Sequence, residues 1–420
     1  MTPLAQDLPC RSCAAPLDRV MVDLGSSPLA NSYLSAAALA QAELFLPLCV
    51  YVCERCWLCQ LPECATPQEI FSDYAYFSSF STSWLEHAKS YVDAMVPRFG
   101  LGPASQVVEI ASNDGYLLKN FVERGIPVLG VEPAANVAQA AIAIGVPTEV
   151  RFFGREAARD LVSRGKAADL VLGNNVLAHV PDLDDFVGGL SLLLKDEGVL
   201  TMEFPHLVQM IDGNQFDTIY HEHYSYFSLV AVERVFAAHA LELFDVEELA
   251  THGGSLRIYA RRRSDPLRAA RARTPPSPRV AELLARERAL GVESLAYYAG
   301  YSERVRETKR ALLEFMIGAK RAGKSIVGYG APAKGNTLLN YCGIRADFLD
   351  YTVDRSPHKQ GLFLPGTRIP IRAPEALFET RPDYVLILPW NLRTEIATQM
   401  AAIREWGGRF LVAIPGVEEL

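Results

Sequence analysis

The sequence predicts an α/β protein made of a cysteine-rich N-terminal module and two separate sets of parallel strands with helices between them. Three observations carry this. Short β-branched runs alternate with helical periodicity from about 105 to 205, the same rhythm restarts between 325 and 413, and two Cys-x2-Cys pairs lie near the start. Strands at such spacing with helices between them build parallel βαβ units.

At 420 residues the chain exceeds one ordinary core, and length alone suggests about three domains. Apolar residues make up 50% and charged residues 21%, the balance of a soluble globular protein. A net charge of -8 argues against a general nucleic-acid binder, which needs a basic face. The one basic stretch, 257–279, is broken by Pro266, Pro275, Pro276 and Pro278 and reads as a solvated connection. Residues 1–9 have neither a basic start nor an apolar run, and no stretch reaches the length of a membrane span. A cytoplasmic chain with no membrane partner is therefore expected. Its eight cysteines then point to metal binding before disulfides.

The first element is the cysteine module. Cys10-x2-Cys13 and Cys53-x2-Cys56 flank 39 residues. Four thiolates suit a tetrahedral zinc ion with no open position, hence a structural site on Cys10, Cys13, Cys53 and Cys56. Cys49, Cys59 and Cys64 crowd the second pair, and Cys56-x2-Cys59 is an alternative to it.

In the central part, 107–110, 128–131, 170–172 and 198–203 read as strands, with 254–261 an additional one. The first strand enters the turn Ala111-Ser112-Asn113-Asp114-Gly115 and then the helical Tyr116-Leu117-Leu118. Its acidic end, Glu109, the tight turn, and Glu132 placed 23 residues later resemble the class I S-adenosylmethionine fold. There the first carboxylate faces the methionine or ribose side and the second takes the ribose hydroxyls. The physical requirement is close backbone approach at a helix N-terminus plus a carboxylate for a diol. Ala111 stands where glycine is usual. Phe152 and Phe153 are candidates to cover adenine, although paired phenylalanines are more often core. Asn174 closes the strand that begins at Leu170, ahead of His179, where methyltransferases often place substrate-side residues. The expected cofactor set is Glu109, Ala111, Asn113, Asp114, Gly115, Glu132, Phe152, Phe153 and Asn174. NAD ranks below it, because no G-x-G-x-x-G follows the first strand.

Residues 281–322 read as largely helical, and 325–329, 348–353, 384–388 and 410–413 as a second set of strands. Gly328-Tyr329-Gly330-Ala331-Pro332-Ala333-Lys334-Gly335-Asn336 joins a strand to a helix, and a glycine-rich turn with one lysine suits a phosphate. It is not a P-loop, because the G-x-x-x-x-G-K-[ST] order is absent. The diphosphate of a nucleotide sugar is the natural fit. Lys359 follows the next strand. Either lysine could equally be a surface charge.

The run Tyr220-His221-Glu222-His223 is the most informative string in the chain. General base, partner acid and orienting carboxylate must lie within hydrogen-bond reach of one substrate atom, and these are the residue types for that task. A zinc-protease helix needs His at i and i+4, and the residue four after His221 is Ser225, so that reading fails on spacing. In isolation such a string is more often a solvated turn; what lies upstream reverses that.

Taken together, the cysteine pairs, Asp73-Tyr74-Ala75-Tyr76-Phe77-Ser78-Ser79, Ser112-Asn113-Asp114-Gly115, Phe216-Asp217-Thr218-Ile219-Tyr220-His221-Glu222-His223, His252-Gly253-Gly254 and the turn from Gly328 to Gly335 resemble the bacterial NDP-sugar C-methyltransferases of the tetronitrose type, which make C-3 branched deoxysugars. The resemblance covers essentially the whole chain. It implies a zinc-binding module (1–72), a central class I S-adenosylmethionine methyltransferase domain of Rossmann-like fold (73–265) and a C-terminal Rossmann-like nucleotide-sugar domain (266–420). It implies a catalytic set of His223, Tyr220, Glu222 and His179, and places Tyr76 near the sugar nucleotide. Ser79, Lys334, Asn336, Lys359 and Trp390 complete the expected substrate set. His221 stands where an acidic residue can occur.

The expected reaction is C-methylation of an NDP-4-keto-deoxysugar, with dTDP or GDP as the nucleotide, by a monomeric enzyme. Carbon beside a ketone is acidic enough for an enzyme base, and a neutral imidazole is a base near pH 7. His223 is that base, Glu222 orients it, and Tyr220 and His179 donate to the enolate oxygen. Tyr220 as base with His223 as partner is the mechanistic rival. Methylation at C-5, or an NAD-dependent sugar oxidoreductase or epimerase, are the alternative functions.

Overall fold

The computed structural model describes residues 8–71, 78–263 and 275–420. The chain divides into two compact units. The first holds Met1–Arg19, Val52–His206 and Tyr224–Tyr297, and the second holds Val20–Tyr51, Leu207–His223 and Tyr298–Leu420.

In the first unit, β1 (Val107–Ile110), β2 (Val128–Val131), β3 (Thr148–Glu149), β4 (Ala168–Asn174), β5 (Leu194–Pro205), β6 (Leu241–Leu249) and β7 (Ser255–Arg262) form one sheet in the order β6-β7-β5-β4-β1-β2-β3. The strands from β1 to β5 are parallel, and β7 runs antiparallel to both β5 and β6. All four residues of β1 and of β2 are buried, which is why they read as continuous apolar runs rather than alternating ones. The chain leaves β1 toward β2 on one side and returns to β4 on the other. This reversal opens a crevice at the C-terminal strand ends, where α/β folds bind ligands.

Helix α1 (Thr82–Phe99) starts at Ser81, whose hydroxyl accepts from the Trp84 amide, and ends at Gly100 with φ 61. Its buried residues Trp84, Ala88, Tyr91, Val92 and Met95 recur at helical spacing and join the core beneath β1. Helix α2 (Leu229–Ala237) is capped by Ser228. On α3 (Pro278–Leu290), the buried Glu287 accepts from the first α2 amides, Leu229 at 2.7 Å and Val230 at 2.8 Å, and lies 2.7 Å from His206 Nε2. A carboxylate there satisfies helix donors that would otherwise be orphaned.

In the second unit, β8 (Ile326–Tyr329), β9 (Thr352–Val353), β10 (Ile371–Arg372), β11 (Tyr384–Ile387), β12 (Arg409–Val412) and β13 (Glu418–Glu419) lie in the order β10-β9-β8-β11-β12-β13. Only β13 is antiparallel to its neighbour. The long helix α4 (Tyr301–Arg321) buries Tyr301, Val305, Thr308, Leu312 and Met316, and α5 (Ala333–Cys342) follows the glycine-rich turn. Strands Arg19–Ser27 and Leu46–Val52 pair with each other, and most of both lies in this unit.

Two sequence expectations change in detail. The strand expected at 348–353 begins only at Thr352, because Phe348 and Leu349 turn back to the Arg345 carbonyl at 3.0 and 2.9 Å. Strand β6 went unrecognised: its glutamates at 242, 247 and 248 interrupt the apolar pattern at a sheet edge. Among the described residues, no helix is long and apolar enough to cross a membrane.

Candidate active site

The four expected metal ligands come together. The sulfurs of Cys10, Cys13, Cys53 and Cys56 lie within 4.8 Å of one another, with Cys10–Cys56 and Cys13–Cys53 at 3.5 Å. Zinc–sulfur bonds of about 2.3 Å at tetrahedral angles require sulfurs about 3.8 Å apart, so this cluster fits the ion. Gln60 donates to Cys10 Sγ at 3.2 Å, and the Arg55 amide to Cys53 Sγ at 3.4 Å. Such donors orient thiolate ligands. Cys59 is buried outside the cluster, so the alternative second pair does not form it.

At the C-terminal end of β1, the turn passes through left-handed backbone at Ala111 (φ 56), Asn113 (φ 50) and Gly115 (φ 77). Ala111 thus adopts the conformation for which glycine is usual, at a steric cost of about 1–2 kcal/mol. A Cβ on Gly115 would meet Val146 and Ala141 at 3.0–3.2 Å. Glu109 is 1% exposed, and neither of its carboxylate oxygens has a hydrogen-bond partner among the described residues. Burial pushes its pKa well above the usual range, and the charges of Glu132 and Asp114 push the same way. Glu132 is also raised by burial, although it accepts from the amides of Asn113 and Ala134, both at 2.9 Å. Three mutually repelling carboxylates with no side-chain cation against Glu109 among the described residues suit a positively charged ligand. The ammonium and sulfonium of S-adenosylmethionine match that donor set.

Asn174, at the end of β4, has a buried Nδ2 with no hydrogen-bond partner among the described residues. The two phenylalanines separate: Phe153 packs edge-on against Phe186 at 5.6 Å, whereas Phe152 is 43% exposed. Ser79, expected at the substrate, gives its amide to Asp114 Oδ2 at 3.0 Å, and the Ser78 amide bonds Asn113 Oδ1 at 2.9 Å. Tyr76 lies outside the described residues. His179 stands in the turn Leu177–His179 of this unit. One cluster here was missed. Glu203, fully buried at the end of β5, is held by Arg257 at 2.9 Å, His87 at 2.9 Å and Thr251 at 3.0 Å.

Tyr220, Glu222 and His223 belong to the second unit. His223 Nδ1 lies 2.7 Å from the Thr218 carbonyl oxygen. A carbonyl only accepts, so Nδ1 carries the proton and Nε2 of the neutral ring keeps its lone pair. The rings of Tyr220 and His223 lie 4.0 Å apart. His221 has a different task. It is 4% exposed, its Nε2 donates to the Pro47 carbonyl at 3.1 Å, and burial lowers its pKa. Glu222 is 3% exposed and accepts from Asn31 Nδ2 at 2.6 Å.

Helix α5 and its turn hold this loop. Thr337 donates to the Ile219 carbonyl at 2.9 Å, and Trp390 Nε1 donates to Asp217 Oδ2 at 2.7 Å. Lys334 bonds Asn391 Oδ1 at 2.8 Å, lies 4.8 Å from the Trp390 ring centre, and has its pKa lowered by burial against the pull of Asp217. Asn336 is buried, with Nδ2 committed to the Ala30 carbonyl at 2.6 Å. In the glycine-rich turn, a Cβ on Gly330 (φ 88) would meet Pro389 at 2.6 Å. The Ala331 carbonyl accepts from both Lys359 at 2.8 Å and Tyr33 at 2.6 Å. Asp217, Asn31 and Tyr33 were not among the expected site residues. Asp217 was visible in the motif; nothing local marks the other two.

Asp217 is wholly buried, and burial pushes its pKa up to about 6 from an ordinary 3.8, with Lys334 pulling the other way. The folded value exceeds the unfolded one, so its contribution to stability is full below pH 4 and is lost as pH rises through 6. That rise corresponds to about 3 kcal/mol. Asp217→Asn keeps an acceptor for Trp390 and is therefore expected to raise stability at pH 7.5 by up to about 3 kcal/mol, with little change at pH 4. Denaturant unfolding at the two pH values measures this. A stability change that is the same at both would exclude a raised Asp217 pKa.

The sheet order, the carboxylate-lined turn after β1 and the four-thiolate cluster define a methyltransferase that uses S-adenosylmethionine and carries a structural zinc site. Residues 10–71 match a zinc binding domain family, 84–246 a methyltransferase domain family, and 250–415 the C-methyltransferase C-terminal domain family. C-methyltransferase NovU of Streptomyces niveus is 39% identical over 406 residues, 97% of this chain and 95% of that protein. A ubiquinone biosynthesis O-methyltransferase of Rhodopseudomonas palustris is 22% identical over 152 residues, 31% of this chain and 60% of the other. The chain belongs to the C-methyltransferase family that includes NovU.

Proposed function

We propose that the enzyme methylates the carbon beside the ketone of an NDP-4-keto-deoxysugar, at C-3. The observation that carries this is the fixed tautomer of His223. With Nδ1–H given to the Thr218 carbonyl at 2.7 Å, the basic nitrogen of the neutral ring is Nε2, the atom to which we assign the proton from C-3. S-adenosylmethionine, when bound by the carboxylates after β1 and β2, supplies an electrophilic methyl group. His223 takes the proton from C-3, and the electron pair moves toward the C-4 oxygen. Tyr220 donates to that oxygen, which stabilises the developing charge. Glu222 keeps the local charge balance. The carbon, now nucleophilic, would take the methyl as the S–CH3 bond breaks and its electron pair leaves on sulfur in the neutral thioether S-adenosylhomocysteine; the C-4 ketone would re-form and His223 would return its proton to solvent.

Lys334, Lys359 and Trp390 are the proposed grip on the nucleotide diphosphate, within the three functional segments 1–72, 73–265 and 266–420. The NAD reading is disfavoured by Asp354. Where a dinucleotide site uses the acid ending its second strand for a ribose diol, both oxygens of Asp354 hold backbone amides, Ala331 at 2.7 Å and Ser356 at 2.8 Å. Incubation with methyl-labelled S-adenosylmethionine and a panel of NDP-4-ketosugars tests the proposal. NMR is expected to place the label on C-3. A label on oxygen, on C-5, or on no ketosugar would overturn it.

A further inference from the structure

We infer that Asn31 is a positioning residue for this reaction, holding Glu222 as a hydrogen-bond acceptor from the segment whose Tyr33 bonds the glycine-rich turn; the inference rests on the reading of Glu222 as part of the catalytic loop. Asn31 and Tyr33 belong to the segment between the two cysteine pairs, yet both count with the second unit. The segment is clamped at both ends. The Ala30 carbonyl accepts from Asn336 Nδ2 at 2.6 Å, and Leu34 exchanges two backbone hydrogen bonds with Phe363, each 2.9 Å.

Between these clamps, Asn31 Nδ2 meets Glu222 Oε1 at 2.6 Å and Tyr33 reaches the Ala331 carbonyl at 2.6 Å. The Tyr33 hydroxyl also lies 3.4 Å from Asn31 Oδ1, and Lys359 Nζ, bonded to the same Ala331 carbonyl, sits 5.0 Å from the Tyr33 ring centre. Glu222 is thus held by Asn31, and the turn proposed for the nucleotide is held two residues further on by Tyr33, whose one hydroxyl proton goes to the Ala331 carbonyl, so a single clamped segment serves both.

The chemistry of the amide explains the choice of residue. An amide nitrogen only donates, so Oε1 of Glu222 must present a lone pair to it. The amide itself does not titrate, so the contact brings no ionisation of its own. An aspartate in the same place would face Glu222 oxygen to oxygen. Two carboxyls at such a distance hold together only while they share a proton, and they repel once both ionise.

The test uses the zinc-loaded, full-length enzyme with the ketosugar that the wild type accepts. Asn31→Ala is expected to lower kcat about 10–100-fold, with KM for the sugar nucleotide changed less than about threefold. Asn31→Asp is expected to gain an ionisation that the wild type lacks, with activity nearest the wild type at low pH and falling as pH rises. Asn31→Ser, with a shorter donor and no added charge, should show a reduced kcat without the new ionisation, and it serves where either other variant does not fold. A wild-type-shaped pH profile for Asn31→Asp, or a loss confined to KM in the alanine and serine variants, would refute the role of Asn31 while leaving the proposed function intact. A wild-type enzyme inert toward every 4-ketosugar would overturn both.

Discussion

His223→Asn is expected to lower methyl transfer by about 10²–10⁴-fold, the scale of a general base, while both ligands still bind. The substitution is chosen for what it preserves. The asparagine amide can still donate toward the Thr218 carbonyl that His223 Nδ1 holds at 2.7 Å, so the turn keeps its tie. What is lost is Nε2, because an amide does not take up a proton near pH 7. The base step can be isolated from methyl transfer. In deuterated buffer, with the ketosugar and S-adenosylhomocysteine, the wild type should exchange the proton on the carbon it methylates. His223→Asn should lose that exchange together with turnover. Tyr220→Phe should keep some exchange, with turnover down about 10–1000-fold, as for one oxyanion donor. The rings lie only 4.0 Å apart, so the reverse pattern would hand the base role to Tyr220. If neither substitution altered exchange or turnover, the loop would be structural.

Loss of the zinc site is the second large effect. Cys10→Ser and Cys56→Ser are each expected to deplete zinc and destabilise the first unit by several kcal/mol, because binding to a structural site is folding free energy. The structure predicts where the loosening spreads. Arg11, next to Cys10, takes Gln60 Oε1 with its amide at 2.9 Å, and its guanidinium donates to the carbonyls of Leu61 and of Pro181, the latter at 2.7 Å. Pro181 closely follows His179. Metal removal by a chelator should therefore raise amide hydrogen exchange around residues 177–183 as well as at the cysteines. Near-stoichiometric zinc by elemental analysis in the double variant Cys10→Ser/Cys56→Ser would rule out this ligand set. Metal loss with unchanged exchange at 177–183 would confine the effect to the cysteine module.

The site was legible to different depths. The four zinc ligands could be read because two Cys-x2-Cys pairs are a local geometric unit, and the sulfurs do converge. The turn after β1 was legible even with Ala111 in place of glycine, because strand, turn and helix are set by neighbouring residues and the left-handed backbone survives the substitution. The resemblance separated the roles of the two histidines, but not their hydrogen-bond partners. They are two residues apart and alike in chemistry, yet His221 donates to Pro47 and His223 to Thr218. Phe152 and Phe153 separate in the same way, one exposed and one packed on Phe186.

The sequence by itself determined two α/β sheets, a four-thiolate zinc site, a carboxylate-ended cofactor strand and a loop rich in proton-carrying side chains. These follow from periodicities of two and 3.6 residues and from spacings of a few residues, which act locally. Only the tertiary structure decided which ring nitrogen of His223 keeps its proton, that Asn31 bonds a glutamate 191 positions away, and that Asp217 is buried against Trp390 beside Lys334. Tautomer, burial and long-range partners depend on which surfaces pack together, and no local pattern carries that information.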